Sequence, residues 1–225
     1  MKLFRQLDAW RHRRSKQLKR NLRQGEADAL GEWAGADATI ISNNCFGGRL
    51  YQDLDREYTT PTVGLFFIVA DFVELCRNLR HYLTEATLTF KAESRSAHLN
   101  YKRDHDWRYH YPIGLLDGKI EIHFLHYKSE EEAREKWARR CGRVNWDNIV
   151  VTCLEINDIE ASDFEAFETI PFTRKIFFTT EAHPGCPSTV KMGRNKRGEV
   201  GDGIKHTRRF YRAWLKKLRC EGDLK

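Results

Sequence analysis

No stretch of this chain approaches the roughly 18 apolar residues in a row that a membrane-spanning helix requires. The start lacks the apolar core of a secretory signal, so the expected location is the cytoplasm. The six cysteines, at 45, 76, 141, 153, 186 and 220, contain no Cys-x-x-Cys pair. Neither a disulfide framework nor a zinc knuckle is indicated, and all six read as reduced thiols. No G-x-x-x-x-G-K-[ST] and no G-x-G-x-x-G occurs, which removes the two commonest nucleotide loops. No His/Asp/Glu ligand triad stands out either, so neither a bound metal nor a cofactor is expected. There is no internal repeat.

What the chain does have is charge, unevenly placed. Its net charge is +7, but residues 1–24 alone contribute +8 and residues 204–219, which hold no acid, contribute another +7. Residues 25–203 carry a net −7. A nucleic-acid-binding domain spreads its basic footprint over the folded surface that grips phosphate, so nucleic acid is an unlikely partner for this acidic body. Residues 2–23 place Leu3, Leu7, Trp10, Leu18 and Leu22 near helical spacing among nine Lys and Arg. That is a basic amphipathic helix, suited to an anionic membrane interface; a solvated helix or a disordered tail is the plainer alternative.

Gly25, Gly31 and Gly35 suggest a linker, giving 1–35 as helix plus linker and 36–225 as a single α/β domain. Strands are expected at 38–42, 86–90, 119–125, 149–156 and 175–180, with 60–67 either a strand or an extended loop. Helices are expected near 50–56, 71–83, 162–170 and 206–219, and most firmly after Ser129, where Ser129 and Glu132 form a capping box. Residues 94–111 read as a surface loop or a solvated hairpin, and 183–203 as a mobile loop. Continuous apolar strands alternating with helices argue for a mostly parallel sheet covered by helices on both faces.

In such sheets ligands bind beyond the carboxyl ends of the strands. There the chain offers Ser42-Asn43-Asn44-Cys45-Phe46-Gly47-Gly48, able to hold a phosphate through glycine backbone at a helix N-terminus, or else simply a strand-to-helix turn. Cys45 is a candidate nucleophile or a buried thiol that only packs. His123 or His126 is its natural partner; three apart on a strand, they face opposite sides and do not share a metal unless the strand ends between them. Glu121 and His123 share a face, as a general-base pair or a satisfied buried pair. Tyr127 and Lys128 complete the corner after the 119–125 strand.

These segments, with T-P-T-V-G-L-F-F, Y-P-I-G, the run from Glu121 to Arg140 and D-N-I-V-V, resemble the bacterial domain of unknown function 1919 family over roughly 38–180. The family's members are often labelled as exopolysaccharide or capsular polysaccharide biosynthesis proteins. The resemblance marks Ser42, Asn43, Asn44, Cys45, Gly47, Gly48, Pro61, Gly64, Pro112, Gly114, His123, His126, Tyr127, Lys128, Trp137 and Asn148 as the site and its supports. Phe46 stands where the family pattern has a tryptophan. The resemblance carries no established reaction; the leading expectation is a transferase of surface-polysaccharide synthesis acting on a nucleotide- or lipid-linked sugar. In that reading Cys45, His123, His126 and Glu121 are catalytic, and Ser42, Asn43, Asn44, Gly47, Gly48, Tyr127 and Lys128 bind substrate. A Cys45-dependent hydrolase or acyltransferase and a non-enzymatic accessory protein on the inner face of the plasma membrane are the rivals.

Overall fold

A computed structural model describes residues 21–156, 159–196 and 198–224. A helix over 21–34 (α1) leads into β1 (Thr39–Ser42), α2 (Phe46–Asp53), α3 (Val69–Arg77), α4 (Leu79–Thr84) and β2 (Leu88–Lys91). Then come α5 (Ala97–His105), β3 (Ile113–Leu116), β4 (Ile120–His123), α6 (Glu130–Cys141) and β5 (Ile149–Leu154). The chain closes with α7 (Ala161–Glu168), β6 (Lys175–Thr179), β7 (Thr189–Lys191) and α8 (Thr207–Glu221). Strands β1, β5, β6 and β7 form a sheet in that order with every pairing parallel. Strands β2, β3 and β4 form a separate antiparallel sheet.

The parallel sheet is apolar on both faces because helices cover both, the arrangement that its unbroken strands anticipate. Ile40, Val150, Leu154, Ile176 and Phe178 face α1, α2 and α8, while Ile41, Val151, Cys153 and Phe177 face α3, α7 and the second sheet. The expected fold class holds, with one difference: the 86–90 and 119–125 segments pair as an antiparallel unit outside the parallel sheet. Period-2 alternation in Ile120, Ile122 and Phe124 identifies a strand but carries no information about its partner. Residues 25–35, expected as a linker, are mostly helical, with Ala27, Leu30 and Ala34 buried against α8 and the sheet. The glycine spacing hid an apolar stripe of small residues. Most of the basic segment 2–23 lies outside the described residues.

Other boundaries shift for local reasons. The expected helix at 71–83 is two, broken at Asn78 (φ −122°, ψ 38°). The polar segment 94–111 contains α5, capped by Ser96 Oγ accepting the Leu99 N–H at 3.3 Å. The expected loop at 183–203 contributes β7 to the sheet edge.

One short connection sets the relation between the sheets. The Phe67 N–H donates to Asn43 O at the end of β1 (2.9 Å), and Phe66 exchanges both backbone hydrogen bonds with His123 at the end of β4 (2.9 Å each). The 60–67 segment, a turn over 61–64 that runs into the bridge at Phe66, therefore links two strand ends and brings the residues after β4 over those after β1.

Candidate functional site

The turn after β1 is built to hold itself. Ser42 Oγ accepts the N–H of Gly47 (3.3 Å) and Asn44 Oδ1 accepts that of Phe46 (2.9 Å), so the first two amides of α2 already have partners. Asn43 is fully buried: its Nδ2 donates to Leu154 O (2.9 Å) and its Oδ1 accepts the Leu154 N–H (3.0 Å), tying β1 to β5. Gly47 is required by contact, since a Cβ there would stand 2.8 Å from Ser42 Cβ. Phe46 packs in the core, its ring centroid 5.4 Å from Phe210 and 5.6 Å from Phe178, so it is no exposed stacking platform. The amide cradle expected for a phosphate is thus occupied by the turn's own side chains.

The reactive groups nevertheless meet. Cys45, at the N-cap of α2, places Sγ 3.5 Å from His126 Nε2. Burial, with Asp202 adding its negative charge, pushes the Cys45 thiol up to about 11. At neutral pH it is a thiol, a proton donor or hydrogen-bond partner before it is a nucleophile.

Beside this pair opens a cleft of about 400 Å³. Gly48, Gly64 and Tyr127 line it together with three cations absent from the sequence-derived site: Arg49 on α2 and Lys136 and Arg140 on α6. Among the described residues no acidic side chain lines it. Arg49 is held by Asp53 (2.6 Å) and Lys136 by Glu132 (2.5 Å). Arg140 has no carboxylate within 4 Å among the described residues; its guanidinium donates to Tyr127 Oη and to Val63 O (3.2 Å), and lies over the Tyr58 ring. The Tyr127 hydroxyl in turn donates to Val63 O (2.9 Å). Lys136 and Arg140 follow one helical turn apart on the flank of α6 next to its buried Ala133–Trp137–Cys141 stripe. That i, i+4 spacing was the available signal, but the Glu132 pair made Lys136 read as an ordinary solvated ion pair.

A second cleft, of about 370 Å³, lies on the other side of Cys45 and has the opposite character. Glu155, Glu199 and Asp202 line it, against Lys102 and Tyr109. Glu155 is oriented by the Thr180 hydroxyl (2.7 Å) and backbone N–H (2.5 Å). Cys45 and Ile204 line both clefts and form the divide.

Glu121 and His123 lie elsewhere, both fully buried and lining neither cleft. His123 Nε2 is 2.8 Å from Glu121 Oε1, at an angle that makes no aligned hydrogen bond. Burial alone would raise the Glu121 carboxyl, but His123, Lys91 (2.8 Å), Ser94 and the Arg95 N–H (3.0 Å) together hold it far below the usual carboxylate range. Lys128 is exposed and lines neither cleft, its backbone N–H donating to Glu132 Oε2 (2.7 Å). Among the described residues no group of three His, Cys, Asp or Glu is placed to hold a metal. No described helix is long and apolar enough to cross a membrane.

The chain is 34% identical over 165 residues, 73% of its length and 72% of the relative's, to an "Uncharacterized protein" of Haemophilus influenzae. The family model matches residues 17–218, a span that takes in α1, all but the last turn of α8 and both clefts. The chain belongs to the family described as Domain of unknown function (DUF1919).

Proposed function

We propose that this protein is a transferase acting on a sugar linked through phosphate to a nucleotide or lipid, in bacterial surface-polysaccharide assembly. The carrying observation is the cleft that converges Arg49, Lys136 and Arg140 on the Cys45–His126 pair without an opposing carboxylate on its wall. Planar guanidinium groups suit phosphate oxygens, and charge-assisted hydrogen bonds are the strong ones. The basic cleft takes the diphosphate, and the acidic cleft across Cys45 takes the hydroxyl-rich acceptor, whose donors its carboxylates can orient. The polysaccharide context is what the family resemblance implies.

In this reading His126 is the general base. The Nε2–H faces the Cys45 sulfur, and the other ring nitrogen accepts the acceptor's hydroxyl proton as that oxygen bonds to the sugar carbon. The bond from that carbon to the phosphate oxygen breaks, and the leaving diphosphate keeps the electron pair beside the three cations. Cys45 positions the imidazole. The protein works in the cytoplasm, and residues 2–23 hold it at the inner face of the plasma membrane.

The 3.5 Å Cys45–His126 contact also favours a second reading, a hydrolase or acyltransferase in which His126 takes the thiol proton and Cys45 attacks an acyl carbon. Incubating the protein with labelled nucleoside diphosphate sugars and cell-envelope acceptor separates the two. The transferase reading expects product with wild type and Cys45→Ser, and loss of about 100-fold or more with His126→Ala. Equal loss in Cys45→Ser and Cys45→Ala, with an acyl adduct on Cys45 by intact mass, would establish the second reading instead.

A further inference from the structure

The outward face of α8 carries charge of one sign. Arg208, Arg212, Lys216 and Arg219 follow one another at about one helical turn, and the helix has no acidic residue before Glu221. The opposite face, Phe210, Tyr211, Trp214, Leu215 and Leu218, is buried. Arg208 is neutralised by Glu26 on α1 at 3.0 Å, but Arg212 reaches the same carboxylate only at 3.9 Å. Lys216 and Arg219 have no carboxylate within 4 Å among the described residues. Like charges four apart repel, and cations in a helix's first turn oppose its dipole. The stripe therefore weakens the helix that carries it unless an outside anion compensates.

Between this stripe and Glu26 of α1 runs an open groove of about 730 Å³ whose wall carries five cations, with Ala213 and Leu215 between them and Glu26 as its acid. The two helices are locked together by the Arg208–Glu26 pair and by the Trp33 ring edge against Trp214, 5.6 Å between centroids. α1 is also the helix into which the basic N-terminal sequence leads, and that sequence interleaves its cations with Leu3, Leu7, Trp10 and Leu18. Apolar residues spaced among cations match a lipid interface, where acyl chains receive them, and have no counterpart in a phosphodiester backbone.

We infer that the exposed face of α8 is a docking surface for an anionic phospholipid bilayer, with Arg212, Lys216 and Arg219 taking lipid phosphates along the groove against α1. This surface is distinct from the clefts around Cys45 and does not depend on the chemistry there. It makes membrane attachment a property of the folded body as well as of the N-terminal segment.

Co-sedimentation of the full chain with vesicles tests it, using phosphatidylcholine alone and phosphatidylcholine mixed with phosphatidylglycerol. The wild type partitions onto the anionic vesicles only, and less as salt is added. Each cation at such a surface contributes roughly fivefold, so removing three lowers partitioning on the order of 100-fold and the reversal Arg212→Glu/Lys216→Glu/Arg219→Glu lowers it further, while residues 1–20 remain in place. The milder Arg212→Gln/Lys216→Gln/Arg219→Gln, with an unchanged circular-dichroism melt, gives an intermediate loss and serves should the reversal variant misfold. Wild-type partitioning by a folded glutamine variant would overturn the inference, because the N-terminal segment alone would then suffice. Tighter binding of the wild type to duplex DNA than to anionic vesicles at the same salt would overturn it as well.

Discussion

At the scale of single residues, chemistry and structure separate two histidines that the sequence offers as equals. His126 reaches the Cys45 sulfur across the cleft, whereas His123 is enclosed with Glu121. The elevated thiol at Cys45 has a direct consequence for labelling. A thiol pushed to about 11 has little thiolate at neutral pH, so iodoacetamide should modify exposed Cys220 first. In a Cys220→Ser protein, Cys45 alkylation followed by mass spectrometry should accelerate as pH rises toward that value. Fast labelling of Cys45 at pH 7 would show a far more acidic thiol and would favour the nucleophile reading. Glu121 makes a different prediction. Its carboxyl is depressed in the fold, so its contribution to stability is complete above the ordinary carboxylate range and is lost as pH falls through its lowered value. Glu121→Gln should cost about 2 kcal/mol at neutral pH, by leaving half-buried Lys91 and the buried Ser94 hydroxyl beside an uncharged amide, and should remove that acid-sensitive component from urea melts.

At the scale of elements, what was legible followed local pattern and what was not followed partners. The helix after Ser129 announces itself through its cap, and Ser129 Oγ does accept the Glu132 N–H at 3.2 Å. The Glu132 carboxylate, however, reaches one residue further back, to the Lys128 N–H, so the reciprocal half of the capping box is displaced. Ser129→Ala should destabilise the protein by about 1 kcal/mol, read as a lowered midpoint in chemical denaturation. The turn after β1 was legible as special, but its purpose was not: the letters of Asn43 do not reveal that both ends of its amide bind Leu154, on a strand 111 residues away. Asn43→Ala should cost about 2 kcal/mol by stranding a buried N–H and C=O, and should loosen exchange protection at the end of β5. The same blindness to distant partners hid Arg49, Lys136 and Arg140, because three cations on two helices become a site only once the helices are placed.

At the scale of the whole molecule, the protein joins a helix-covered parallel sheet to a small antiparallel one and sets its polar clefts where the strand ends of the two meet. The hinge of that arrangement is the 60–67 connection, whose backbone pairs with Asn43 on one side and His123 on the other. Alternation and turn chemistry foretold the parallel sheet; the second sheet was not foretold, because pairing between strands is a tertiary choice. Charge follows the same division, with an acidic middle, basic ends and one basic cleft. That cleft is the centre of the account, and isothermal titration of a nucleoside diphosphate against wild type and Arg140→Gln tests it most directly. Saturable binding to the wild type, weakened about 10- to 100-fold in the variant, is the predicted result. Binding of equal strength to both proteins, or to neither, would contradict it.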